Sequence, residues 1–366
     1  MSRPLRVLIA GGGTGGHVYP AIAIADAIRA RRSEAQIVFA GTSDRLEARA
    51  VPDAGYALHP ITISGFQRSL SIRNLRFPVD LAKGLMQSWR LVRALAPDVA
   101  VGTGGYVAGP VLLAAWVRGC PVLIQEQNAY AGVTNRLLAY VANQIHLAFP
   151  EAKDWVPAHK ATVTGNPTRP ALQAVDAEAA RSAMGIPPEA TVLLVMGGSL
   201  GSKALNTALE QHHGDLLDDP AIHLIWQTGT RYYDALQNRI PTHPRLHLME
   251  YIDRMDHAYA AADAALCRAG ALTCSELLVT ETPAVLVPSP NVVADHQTKN
   301  ARSMERSGAA RVLPEVDLNA RLTAVVRDLL TDATTLDEMR KAARQAARPH
   351  AADQIASDVL TLAEAS

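Results

Sequence analysis

Leu5-Arg6-Val7-Leu8-Ile9-Ala10 followed by Gly11-Gly12-Gly13-Thr14-Gly15-Gly16 and then a helix-length run to about residue 31 decides the fold class. A short apolar run, a glycine turn and a periodic helix make the opening of a βαβ unit, whose strand is buried on both faces and so reads as continuously apolar. The same grammar returns at Leu193 to Met196 with Gly197-Gly198-Ser199-Leu200-Gly201. Between and beyond these openings, Ile37–Ala40, Val99–Val101 and Val122–Ile124 read as further strands of a first sheet, with helices near 18–31, 72–95, 107–118 and 131–140. His223–Trp226, Leu246–Met249, Ala264–Cys267 and Ala284–Val287 read as strands of a second. The expectation is an α/β chain of two similar wound halves with parallel sheets. Gly165-Asn166-Pro167 and Gly185-Ile186-Pro187-Pro188 supply breakers, which puts the halves at 1–165 and 166–344, with an Ala-rich helix at about 345–366 returning to the first.

At 366 residues the chain exceeds one ordinary core. Thirty-five basic and 35 acidic side chains with 48% hydrophobic residues argue against disorder and against a nucleic-acid partner. Val7–Ala25 and Val99–Val117 are uncharged over a nearly membrane-spanning length, yet glycines and prolines interrupt both, so neither reads as a spanning helix. The apolar run at Val7–Ala10 is too short for a secretory signal. Cys120, Cys267 and Cys274 fit neither a disulfide framework nor a zinc spacing, and no metal site is expected. A reducing cytoplasm is the simplest home.

The glycine turns admit several chemistries. Gly11, Gly13 and Gly16 match GxGxxG, but the acid that a dinucleotide ribose wants at the end of the next strand is missing from Ile37-Val38-Phe39-Ala40-Gly41-Thr42. No Gx4GK[ST] is present. Gly197-Gly198-Ser199-Leu200-Gly201 spells the GxSxG of a serine-hydrolase elbow, with Asp253, Asp256 or Asp295 and His257 or His296 available downstream, although no HGGG-type oxyanion motif accompanies it. A glycine turn at a helix N-terminus also offers N–H groups and a positive dipole end to a phosphorylated ligand, which fits a nucleotide sugar whether or not chemistry follows. Equally, the glycines can serve only tight strand-to-helix packing.

GGGTGGH at 11–17, GTGGYVAG at 102–109, QEQN at 125–128, GNPTR at 165–169, GGSLGS at 197–202, CRAGALTCSE at 267–276 and ADHQTKNA at 294–301 occur in order over nearly the whole length. With these motifs the chain resembles the MurG family of N-acetylglucosaminyltransferases. The resemblance implies a GT-B fold with the active site in the cleft between two Rossmann-like domains. It also implies inverting transfer of N-acetylglucosamine from UDP-GlcNAc to the C4 hydroxyl of the MurNAc of undecaprenyl-pyrophosphoryl-MurNAc-pentapeptide (lipid I), giving lipid II at the cytoplasmic face of the bacterial inner membrane. No resident cofactor is implied: UDP-GlcNAc is a substrate, no DxD occurs in the chain, and a loosely bound Mg²⁺ stays open.

Carried over by motif, Glu276 would accept the ribose hydroxyls and Ile252 would present backbone atoms to uracil. Ser199 and the first-turn residues Ala271, Leu272 and Thr273, with Cys274 and Ser275 beside them, would meet the phosphates. Gln297 and Asn128 would read the sugar and Arg169 would help hold the nucleotide. Thr14, Gly15 and Gly16 would approach the pyrophosphate and the acceptor, with Gly104, Gly105 and Tyr106 on the acceptor side. His17 would be the base, with Glu126 a second catalytic candidate. Gln125 stands where the family often has His, and Leu200 where Gln is frequent, so a catalytic His at 125 and a side-chain contact from 200 are both lost. Phe66–Leu95 carries six basic residues against Asp80 alone, a local +5, and is studded with apolar side chains. Such a segment reads by itself as an ordinary amphipathic helix. With a lipid acceptor, Arg73, Arg76, Phe77, Lys83 and Trp89 become an expected patch for an anionic membrane surface.

Overall fold

The computed structural model describes residues 3–63 and 77–365. They form two compact units, one of residues up to Thr168 with Pro349 onward, the other Arg169–Arg348.

In the first unit the strands are β1 (Arg6–Gly11), β2 (Gln36–Gly41), β3 (Ala57–Pro60), β4 (Val99–Gly104), β5 (Val122–Glu126), β6 (Gln144–Leu147) and β7 (Ala161–Val163). All pair in parallel in the order β3-β2-β1-β4-β5-β6-β7. Its helices are α1 (Gly15–Arg31), α2 (Glu47–Asp53), α3 (Phe77–Leu95), α4 (Ala108–Val117) and α5 (Val133–Leu138). Strand period two divides β1 between the two faces. Leu8 and Ala10 join Leu91 and Val92 of α3 and Val111 and Leu112 of α4, while Val7 and Ile9 join Ile24, Ala25 and Ile28 of α1. The sheet order reverses between β1 and β4, and open α/β sheets bind their ligands beyond the strand ends at such a point.

The second unit repeats the plan with α6 (Ala177–Ala183), β8 (Thr191–Met196), α7 (Lys203–Leu217), β9 (Ile222–Gln227), α8 (Tyr233–Gln237), β10 (Leu246–Met249), α9 (Met255–Ala261), β11 (Ala264–Cys267), α10 (Ala271–Val279), β12 (Ala284–Leu286), α11 (His296–Arg306), β13 (Ala310–Val312), α12 (Leu318–Thr331) and α13 (Ala333–Ala346). Its parallel sheet runs β10-β9-β8-β11-β12-β13, with the reversal between β8 and β11. The last helix, α14 (Ala351–Glu364), belongs to the first unit, where Ile355, Ala356 and Val359 are fully buried in the core that contains α1.

Four strands escape the pattern reading: β3, β6, β7 and β13. Three of them are edge strands of three or four residues, and β3 and β7 have no buried residue, so neither length nor alternation marks them. The helix expected at 18–31 begins three residues earlier, because the first-turn glycines Gly15 and Gly16 are already helical.

Candidate active site

At the reversal point of the first sheet, the turn after β1 is held by the end of β4. Gly104 and Gly105 have φ of +104° and +83°, backbone that side chains rarely adopt. A Cβ on Gly104 would lie 2.9 Å from the His17 ring, and one on Gly105 would lie 2.4 Å from the Gly12 carbonyl oxygen. The glycines of GTGG therefore let β4 close directly on the first turn of α1, and the Thr103 hydroxyl donates to the His17 carbonyl at 2.8 Å. Tyr106 is exposed beside them.

His17 Nδ1 lies 3.0 Å from the Gly12 carbonyl oxygen and 3.2 Å from the Thr14 hydroxyl. A carbonyl can only accept, so Nδ1 carries a proton, and when the ring is neutral its lone pair is on Nε2, the atom on the Gly104 side. That is the tautomer a base needs. The N–H groups of Thr14, Gly15 and Gly16 have no hydrogen-bond partner among the described residues, while that of Gly13 donates to Glu47 Oε2 at 3.0 Å. Glu47 is the acid whose absence at the end of β2 weakened the dinucleotide reading. It arrives six residues later and turns inward on the loop, where a ribose cannot reach it. Its contribution is invisible to a motif search because it lies outside every motif quoted above.

Glu126, the second catalytic candidate, braces the loop that follows β5. It is 2% exposed. Its Oε1 accepts from the Asn128 N–H and side-chain amide at 2.9 and 3.2 Å, and its Oε2 from the Gly132 N–H and Asn135 Nδ2 at 3.0 and 2.8 Å. Four donors from the β5–α5 loop leave the carboxylate fixed and covered. Behind it, Gln125 donates to Asn166 Oδ1 at 2.9 Å and accepts from Gln127, and Gln127 also donates to the Thr103 carbonyl at 2.6 Å. This buried amide network occupies the place where a family histidine often stands.

In the second unit, Gly197, Gly198, Ser199, Leu200 and Gly201 lead into α7, which Ser202 caps by accepting from the Leu205 N–H. Gly198 and Gly201 have φ of +90° and +79°, and a Cβ on Gly201 would meet the Thr228 carbonyl at 2.0 Å. Ser199 is exposed in this turn and bonds to no histidine among the described residues. A nucleophile without its base does not make an esterase, and the hydrolase reading ends here.

Across the strand ends, α10 starts at Gly270, which supplies no side-chain cap, so Ala271, Leu272 and Thr273 open the helix with their N–H groups outward along its axis. Glu276 lies one turn further, 18% exposed, accepting from Tyr259 Oη at 3.1 Å and facing the Arg169 guanidinium at 3.7 Å. Burial pushes its carboxyl above the usual range, only partly opposed by Arg169 and Tyr259. Gln297 accepts from the Ser289 N–H through Oε1 at 2.8 Å, which orients its amide N–H₂ away from that turn. Three residues of the expected donor site are also engaged by the fold itself. Cys274 is fully buried with its thiol pushed up to about 12 by burial, and the Ser275 hydroxyl donates back to the Ala271 carbonyl at 3.1 Å, so both side chains face the fold. The Ile252 N–H is engaged by Gln227 Oε1 at 2.9 Å, leaving only its carbonyl for a base.

Of the basic segment, Arg73 and Arg76 lie outside the described residues. Phe77 opens α3, Lys83 is exposed, and Val79, Met86 and Trp89 on α3 are exposed alongside Leu113, Trp116 and Val117 on the adjoining α4. The Arg118 guanidinium sits 5.6 Å from the Trp89 ring. No helix among the described residues is long and apolar enough to cross a membrane.

Residues 7–147 match the glycosyltransferase family 28 N-terminal domain, and residues 192–355 match the glycosyltransferase family 28 C-terminal domain. The chain is 66% identical over 363 residues, covering 99% of it and 98% of the relative, to the UDP-N-acetylglucosamine–N-acetylmuramyl-(pentapeptide) pyrophosphoryl-undecaprenol N-acetylglucosamine transferase of Salinibacter ruber. It is 39% identical over 98% of its length, and 96% of the relative's, to the protein of the same name from Porphyromonas gingivalis. Its structure matches that of Acinetobacter baumannii MurG with a TM-score of 0.80 at 32% identity, over 98% of this chain and 100% of that one.

Proposed function

The chain belongs to the MurG family within glycosyltransferase family 28, and from that premise we infer an N-acetylglucosaminyltransferase of the GT-B fold that makes lipid II from UDP-GlcNAc and lipid I. The observation that carries the reading is the 66% identity over 363 residues, 99% of the chain and so both units.

We assign the donor to the second unit and the base to the first. The start of α10, to which Gly270 gives no side-chain cap, and the Ser199 turn meet the diphosphate, with N–H groups and dipole ends stabilising the charge that grows on the leaving UDP. Glu276 accepts from the ribose and Gln297 donates to the sugar. His17 Nε2 takes the proton of the acceptor's C4 hydroxyl as that oxygen bonds to the anomeric carbon, while the bond from that carbon to the UDP oxygen breaks on the opposite face, inverting the configuration. The reading includes no resident cofactor. For the lipid acceptor we propose peripheral docking on the cytoplasmic side of an anionic membrane through α3 and α4, whose exposed tryptophans and basic neighbours suit a headgroup layer, each cation contributing about 1 kcal/mol.

Transfer of labelled N-acetylglucosamine to two acceptors, short-chain lipid I in detergent and full-length lipid I in anionic vesicles, tests the whole reading. The wild type should glycosylate both. Reversing Arg73, Arg76 and Lys83 to Glu should lower only the vesicle reaction. No transfer to either acceptor would refute the function, and equal losses on both would remove the membrane role.

A further inference from the structure

Glu47 is fully buried and, like Glu126, has no ion pair among the described residues. An isolated carboxylate is costly to bury, so its partners show what holds it there. Oε2 accepts from the Gly13 N–H at 3.0 Å, and Oε1 accepts from the Thr42 N–H at 3.0 Å and the Thr42 hydroxyl at 2.7 Å. Burial pushes the carboxyl up, yet these hydrogen bonds outweigh it and hold Glu47 below its usual range, so it is ionised at neutral pH. Two glycines are shaped around it. A Cβ on Gly12 would stand 2.3 Å from Oε1, and one on Gly41 would stand 2.8 Å from Cγ.

We propose that Glu47 is a positioning residue for the transfer: its carboxylate clamps the Gly12–Gly13 segment so that the Gly12 carbonyl accepts from His17 Nδ1 and fixes the base in the tautomer with Nε2 unprotonated. The chain of contacts is continuous. Glu47 holds the Gly13 N–H, and the peptide that contains this N–H also contains the Gly12 carbonyl that orients the imidazole. Because atoms of one planar peptide move together, a shift of the Gly13 N–H swings the Gly12 oxygen in the opposite sense. The same contact withdraws the Gly13 N–H from any phosphate, leaving those of Thr14, Gly15 and Gly16 for a ligand. A glycine turn that looks from its sequence like an uncommitted anion cradle is therefore partly filled by the protein's own anion.

This inference rests on His17 as the base, so the experiment starts with His17→Ala. Loss of turnover there keeps the base reading, and near-normal turnover removes that reading together with this one. Glu47→Gln replaces one acceptor oxygen by a donor that faces either the Gly13 or the Thr42 N–H. Turnover should fall about 10- to 100-fold through misplacement of the base. UDP affinity by calorimetry, a property of the second unit, should stay unchanged. Thr42→Val, a milder change that removes only the hydroxyl donor, should lower turnover several-fold and carries the test if Glu47→Gln does not fold. The signature that a purely structural brace would not move is the His17 tautomer. Long-range ¹⁵N–¹H spectra, with His17→Ala as the assignment control, should show Nδ1–H in the wild type and a tautomer mixture in the variants. Folded variants with wild-type turnover, or with reduced turnover and an unaltered His17 tautomer, would overturn the proposal.

Discussion

At Glu276 the fold holds a carboxyl that it penalises for being ionised. Burial raises its pKa, so above that value the folded state carries a cost that the unfolded chain does not. Removing the charge should leave stability unchanged or raise it, while binding should suffer, because an amide accepts from ribose hydroxyls less well than a carboxylate. For Glu276→Gln we expect UDP affinity to fall about 10- to 100-fold, the equivalent of one hydrogen bond to a charged group, with a melting temperature no lower than the wild type's. Calorimetry and thermal unfolding on the same samples check both halves, and unchanged UDP affinity would take Glu276 out of the site. Tyr259 explains why the residue cannot simply swing away: its buried hydroxyl is bonded to Glu276 Oε2.

At the scale of elements, β9 and β10 are joined by a histidine pair. His223 and His247 stack with ring centroids 6.2 Å apart, and His223 Nδ1 and His247 Nε2 are buried without hydrogen-bond partners among the described residues. Burial lowers both below the ordinary 6.5, and for His223 the neighbouring His247, Arg245, His243 and Arg181 lower it further. The folded state therefore keeps both rings neutral while the unfolded chain takes up protons as pH falls through 6.5. Stability from this source is complete above that pH and declines below it. Thermal midpoints measured at about pH 7.5 and about pH 5.5 should drop between the two, and a His223→Phe, His247→Leu variant should drop less. Some decline should remain, because burial also lowers His146 in the first unit. Equal declines in both proteins would show that the pair does not titrate on unfolding.

For the whole molecule, the decisive connection is the return of the C-terminus to the first unit. Ile355 and Val359 are fully buried against α1, whereas the ion pairs Arg31–Asp353 and Arg32–Glu364 at 3.2 and 2.7 Å are exposed. Apolar burial should dominate. Ile355→Ala should cost about 2–5 kcal/mol by lost contact and cavity, and Asp353→Asn no more than about 1 kcal/mol. Urea unfolding of the two variants decides the order, and a larger loss for Asp353→Asn would reverse the argument.

By itself the sequence determined the α/β class, the repeated strand–glycine–helix openings, the family and most residues at the strand ends, because these are local: apolar runs, obligatory glycines and ordered motifs are written contiguously. Tertiary structure alone decided how the side chains are used. Glu126 became a brace and Cys274 a core residue once four donors closed on the one and the core on the other. Glu47 entered the site from outside every motif, since contact between residues 13 and 47 is set by the parallel pairing of β1 with β2 and carries no signature in the spacing. The short edge strands formed for the same reason, recruited by a sheet already present rather than by their own pattern.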